Sequence, residues 1–285
     1  MKFDAQQLAT FAAVVHEGSF DAAARALRIT PSAVSQRIKA LEEMAGQILV
    51  KRAKPCRATT AGGPLLRLAG QIALLEQEAI EHTAAAMTAT IVVNSDSLAT
   101  WFLPALKGLP YLFDIQEDDQ DFTADLLRDG SAMAAVTSQN IAVQGCRAER
   151  LGYMRYFAVA APALARNFDF ETTPVIMFNR KDQLQHRFMR TVSKRRPAPP
   201  AHYIPSVIAF TEAMRLGIGW GMAPEHQANA EIAAGRWKRI APSHHLDVPL
   251  YWQYWRLQSP MLQTLTSAVK TAAAAYLRAH PAGRD

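Results

Sequence analysis

Ser32, Ser35, Gln36 and Lys39 recur at a spacing that puts them on one side of a helix. At about 100° per residue, Val34, Ile38 and Leu41 form the opposite, apolar stripe. A glutamine can bond adenine through two contacts, a serine serves several bases, and Lys39 or its neighbour Arg37 suits phosphate or guanine. Lys51, Arg52, Lys54 and Arg57 follow, four cations suited to backbone phosphates. The chemistry on offer is contact with a nucleic-acid duplex. From spacing alone, a three-helix bundle with a solvated polar face competes with this reading.

Three short helices must position these residues. The first carries Leu8, Phe11 and Val15 at helical spacing and stops near Gly18. Ser19 is a good N-cap for a second helix, Phe20 to Leu27, whose alanines at 22, 23, 24 and 26 let another helix approach closely. After the turn Arg28-Ile29-Thr30, Thr30 caps a third helix with Pro31 at its first position, where a missing N–H costs nothing. Second helix, turn and third helix match a helix-turn-helix in length and pattern. Helical periodicity ends at residues 49–60, where Leu49 to Arg52 and Cys56 to Thr59 read as two short strands. From Gly63, Leu65, Leu68, Ile72, Leu75 and Ala79 are spaced like a coiled-coil seam of about two heptads. A dimerising linker helix and an ordinary core-facing helix both fit that spacing, and residues 84–90 read as a connector.

Charge is distributed unevenly. The net charge is +6 over 285 residues, yet residues 20–57 hold eight Lys and Arg against three acids. Residues 114–129 hold seven acids against Arg128 alone. A polyanionic partner suits the first stretch and a cationic one the second. Hydrophobic residues make up 49% of the chain, so core material is ample. No apolar run approaches the roughly 18 residues that span a bilayer. Cys56 and Cys146 make neither a disulfide framework nor a closed zinc site, and two reduced thiols are expected. No cofactor or metal is expected, and the chain is expected in the cytoplasm.

The remainder alternates short strands (91–93, 112–115, 134–136, 156–160 and 175–178) with helices (101–106 and 122–128). Such alternation predicts parallel sheets covered by helices on both faces. Breaks near Ala161-Pro162 and Ser259-Pro260 divide it into two α/β lobes.

The segments Ser19 to Leu27 and Ser32 to Glu42 resemble the winged helix-turn-helix of LysR-type transcriptional regulators. Ser35 to Lys39, Lys54 to Thr59, Asn94 to Trp101 and Tyr251-Trp252 resemble, within that family, the regulators of basic amino acid export of the ArgP/LysG type. The likeness covers essentially the full chain. It implies an α+β multidomain fold: a winged helix-turn-helix over 1–60, a linker and dimerisation helix over 61–89, and a two-lobed α/β effector domain over 90–285, like a periplasmic binding protein. Lobe I takes about 90–160 and 260–285, and lobe II about 161–259. It implies base contacts from Pro31, Ser32, Ser35 and Gln36, a wing over Lys51 to Arg57, an inverted-repeat operator, and a dimer or tetramer.

It also implies a small-molecule effector, a basic amino acid, in the cleft between the lobes. Lobe I offers Ser95, Asp96, Ser97, Thr100 and Trp101, where a strand end runs into a helix start, with Thr137 and Ser138 as a second lip. Lobe II offers Asn179, Arg180, Asp182 and Ser206. Asp96, Asp118, Asp119, Asp121 and Asp182 are candidate acids for a cationic tail, and Trp101 could add a cation–π contact. Two departures from relatives stand out: Leu103 to Glu117 is several residues short, and Val207-Ile208-Ala209 is apolar. A LysR-type regulator with a different small effector therefore stays open, as does an amino-acid-binding protein or enzyme with a basic head. No catalytic constellation is identifiable. Gly217 to Gly221 lacks a full nucleotide fingerprint and reads as a turn into a strand. His244-His245 reads as a surface loop, and the basic run Arg187 to Arg196 as a solvated face.

Overall fold

The computed structural model describes residues 3–80, 87–118, 124–193 and 197–281. Its contacts divide the chain into two compact units. The first comprises Met1–Asn94, Ala105–Glu149 and Tyr251–Val269, and the second Ser95–Pro104, Arg150–Leu250 and Lys270–Asp285.

The first unit opens with helices α1 (Ala5–His16), α2 (Phe20–Leu27) and α3 (Pro31–Ala45). Each is capped as local chemistry dictates. Asp4, Ser19 and Thr30 accept hydrogen bonds from Gln7, Ala22 and Ala33 backbone nitrogens at 3.0–3.1 Å. Leu8, Phe11, Val14, Ala23, Ala24, Val34, Ile38 and Leu41 form one buried core. Strands β1 (Val50–Lys51) and β2 (Arg57–Ala58) pair antiparallel. Helix α4 (Gly62–Ala79) follows directly: a Cβ at Gly62 would stand 2.5 Å from the Leu49 carbonyl, so only glycine lets the helix start this close. Helix α4 buries Leu66, Arg67, Ala69 and Leu74. The seam expected from spacing is treated differently. Leu65, Leu68 and Ile72 are partly buried against the three-helix core, and Leu75 is exposed.

Strand β3 (Thr88–Asn94) starts three residues earlier than its apolar triplet suggested, because pairing with β4 (Leu112–Asp118) begins at Thr88↔Leu112. Between them, α5 (Ser95–Ser97), a π-helical segment (Leu98–Phe102) and a 3-10 segment (Leu103–Leu106) replace the single helix expected at 101–106. Helix α6 (Ala124–Arg128) leads to β5 (Ala134–Thr137), parallel to β3.

Strand β6 (Cys146–Ala160) follows, then β7 (Val175–Met177), α7 (Leu184–Val192), β8 (Ala201–Tyr203) and α8 (Val207–Arg215). Next come β9 (Gly221–Pro224), α9 (Glu225–Ala233), β10 (Lys238–Arg239), β11 (Leu246–Trp255) and α10 (Pro260–Tyr276). In the first unit, β11 runs antiparallel to β5 from Tyr251↔Thr137 to Tyr254↔Ala134. In the second, β9 and β10 pair antiparallel with β6, while β7 and β8 form a parallel pair. The sheets are thus mixed rather than parallel. Long β6 and β11 supply antiparallel pairing that the short apolar runs did not announce. The second unit's core gathers Phe157, Val159, Ile176, Phe210, Met214 and Trp237. Among the described residues no helix is long and apolar enough to cross a membrane.

Candidate functional site

The first candidate surface is built on α3. Its apolar edge is fully used: Val34 and Leu41 are 0% exposed and Ile38 is 1% exposed. The opposite edge therefore faces solvent. Pro31, Ser32, Gln36 and Lys39 are exposed and Ser35 is half-buried. Lys39 makes only a loose ion pair with Glu43 at 3.7 Å, between two exposed side chains. Arg37 is placed differently. Its guanidinium donates to Thr10 Oγ1 at 3.3 Å and to Gln6 Oε1 at 3.2 Å, so it fastens α3 to α1.

The hairpin beyond α3 carries exposed cations on a fixed frame. Lys51 and Arg57 are cross-strand partners and both are exposed. Arg52 lies over the Phe20 ring, 4.8 Å from its centroid. Lys54 precedes Pro55 through a cis peptide bond and is exposed. Glu42 sets the hairpin against α3, its Oε1 accepting from Leu49 N at 2.8 Å and Val50 N at 3.2 Å. Sequence reading missed Glu42, Gln6 and Thr10, since their partners lie on other elements. The arrangement is an apolar-backed helix edge of small polar donors, flanked by four exposed cations. That fits a base-reading helix with phosphate contacts beside it.

The second candidate site lies where β3 ends. Thr100 Oγ1 donates to the Asp96 carbonyl at 2.5 Å. Asp96 Oδ2 accepts from Tyr156 Oη at 2.7 Å. Tyr156 is 0% exposed. Burial above all, then the charge of Asp96 and its hydrogen bond, pushes this phenol well above its ordinary pKa; Asp182 and Tyr276 add to the shift. The Tyr276 hydroxyl is buried with no hydrogen-bond partner among the described residues, and burial above all, with the charge of Asp96 adding to it, raises its pKa. Ser97 and Trp101 are buried, and neither Ser97 Oγ nor Trp101 Nε1 has a hydrogen-bond partner among the described residues. The Trp101 ring meets Phe102 edge-on at 5.8 Å. These residues all belong to the second unit, and the structure brings them together.

Other candidates do local work. Asp182 accepts from Phe178 N at 3.1 Å and Leu184 N at 2.9 Å, opening α7. Asn179 Oδ1 accepts from Lys181 N at 2.7 Å and Asp182 N at 3.1 Å. Ser206 caps α8 through Ala209 N, and Ile208 beyond it is exposed. Thr137, fully buried, ends β5 in the first unit, and Ser138 follows it. Asp119 and Asp121 lie outside the described residues, as do Lys194 to Arg196. Tyr156 and Tyr276 carried no sequence signal, one lying within a strand pattern and the other in the last turn of a helix. Among the described residues no cluster of three or more His, Cys, Asp or Glu could hold a metal ion.

Residues 5–63 match the family model for the bacterial regulatory helix-turn-helix protein, lysR family. Residues 111–274 match the LysR substrate binding domain. The chain is similar to an HTH-type transcriptional regulator LysG of Mycobacterium tuberculosis, with 48% identity over 97% of this chain and 96% of the relative. It is similar in structure to ArgP from Mycobacterium tuberculosis, with TM-score 0.90 and 47% identity over 98% of this chain and 100% of the other. It is likewise similar to full-length LysG from Corynebacterium glutamicum with bound effector Arg, with TM-score 0.80 and 38% identity over 97% of this chain and 100% of the other.

Proposed function

The chain belongs to the LysR family of bacterial transcriptional regulators, and from that premise we propose that it reads an inverted-repeat operator and controls export or metabolism of a basic amino acid, lysine or arginine, in response to that amino acid. One observation carries the reading: α3 hides Val34, Ile38 and Leu41 while presenting Ser32, Gln36 and Lys39 to solvent beside the cationic hairpin. Residues 1–60 serve as the reader, 61–89 as the linker and 90–285 as the effector domain, with lobe I over about 90–160 and 260–285 and lobe II over about 161–259. The effector is a basic amino acid because Asp96 offers a carboxylate among buried polar groups, and because the similar LysG of Corynebacterium glutamicum holds Arg.

The mechanism is a population shift. The amino acid favours one arrangement of paired readers, which changes their spacing on DNA and the occupancy of the half-sites. Reciprocity then requires operator DNA to change affinity for the amino acid by the same factor. The working species is a homodimer or tetramer acting as a regulator rather than an enzyme, in the cytoplasm where the duplex is. Fluorescence anisotropy of the full chain on a palindromic fragment from its own promoter region tests this, with and without lysine or arginine. Preference over scrambled duplex, altered by the amino acid, is expected; equal binding to both at every salt concentration overturns it.

A further inference from the structure

Tyr156 sits inside β6, where it is the register partner of Pro224 in β9 and is closed off from solvent. A phenol removed from water needs a partner for its hydroxyl. This one has a carboxylate, Asp96 Oδ2, at 2.7 Å. Asp96 is only half-buried, on the first turn beyond β3, where its backbone is tied to Thr100. One side of the carboxyl group is thus met by a donor fixed in the strand interior. Around the same turn, Ser97 Oγ and Trp101 Nε1 are buried polar atoms that no described residue satisfies.

We propose that Tyr156 is the positioning residue that makes this site select a cationic amino acid, its hydroxyl holding Asp96 ready to meet an ammonium or guanidinium group. The proposal rests on the reading of the chain as a regulator responsive to a basic amino acid. One physical effect supports it, and it rests on the 2.7 Å hydrogen bond. A carboxylate already fixed need not be ordered when the ligand arrives, and preorganisation of that kind raises affinity. Burial, followed by the neighbouring carboxylates, keeps the phenol protonated across the neutral range, so its donor role persists.

Calorimetric titration of the full chain with L-arginine and with L-citrulline, which has the same shape and no charge, tests the proposal. Tyr156→Phe removes one oxygen and the hydrogen bond. Arginine affinity is expected to fall about tenfold, the scale of one hydrogen bond to a charged group, while citrulline affinity hardly moves. The arginine-to-citrulline ratio therefore falls about tenfold. An unchanged ratio overturns the proposal, whether both affinities hold or both fall together, because a merely structural role would weaken the two ligands alike. Should Tyr156→Phe fail to fold by circular dichroism, Asp96→Glu moves the carboxylate one methylene away from the hydroxyl; a ratio retained in that variant also overturns it. If the unaltered chain binds neither arginine nor lysine, the functional reading itself fails, which is a separate outcome.

Discussion

Glu78, in the last turn of α4, accepts a hydrogen bond from Ser259 Oγ at 2.5 Å. The same Glu78 oxygen accepts from Met261 N at 3.2 Å, and Ser259 Oγ accepts from Leu262 N at 3.2 Å. Two side chains far apart in sequence therefore share the opening turn of α10, where backbone N–H groups lack helical partners. Helix α4 is tied in this way to α10 within its own unit.

Glu78→Ala should lower stability by about 1–2 kcal/mol, since it removes two hydrogen bonds to a charged acceptor. Urea unfolding of the full chain measures it. A midpoint identical to that of the unaltered protein would show that the tie contributes nothing.

Gln36→Ala should relax base preference at one operator position by about 1–3 kcal/mol and leave the other positions unaffected. Arg37→Ala should behave differently, because Arg37 bonds Thr10 and Gln6. It should lower thermal stability without a change of preferred base. Competition binding against single-base operator variants separates the two; equal loss on every sequence with Gln36→Ala refutes base reading.

Arg52→Ala should weaken binding to every duplex and reduce the slope of log affinity against log salt by about one. The side chain is exposed and stacked on Phe20, free of any carboxylate ion pair among the described residues. A slope that does not move would exclude a phosphate contact.

Glu231 shows how acid should act on the second unit. It is buried and accepts from Arg236 at 2.6 and 3.0 Å and from Arg215 at 2.8 and 2.9 Å. Those guanidiniums hold its pKa down at about 2 instead of the usual 4.5. A depressed carboxylate contributes stability above its unfolded pKa and loses it as pH falls through the folded one. Glu231→Gln should therefore lower Tm by several degrees at neutral pH. The gap to the unaltered protein should close as pH drops from about 4.5 towards 2; a gap independent of pH contradicts the ion-pair account.

Gly70→Ala should destabilise the first unit by about 1–3 kcal/mol, the usual cost of overpacking. An added Cβ would stand 2.6 Å from the Trp255 ring. Scanning calorimetry checks it, and an unchanged Tm would mean that the ring yields.

The helix-turn-helix was legible because its instructions are local. Ser19, Thr30 and Pro31 mark starts, and Val34, Ile38 and Leu41 mark the inward edge within a few residues of one another. The exposed edge of Ser32, Gln36 and Lys39 follows from the same periodicity. The sheets were less legible. Short apolar runs announced the cores of β3, β5 and β7, but β6 and β11 take their length from antiparallel partners distant in sequence. Arg37 suited phosphate or guanine by residue type, yet its guanidinium is taken up by Thr10 and Gln6 of the neighbouring α1.

By itself, then, the sequence determined the reader, its cationic hairpin and the family, since caps, periodicity and charge act between near neighbours. Only tertiary structure decided what surrounds Asp96. Tyr156 reaches it from a strand 60 residues further along the chain, and burial rather than residue type turns an ordinary tyrosine into a fixed donor.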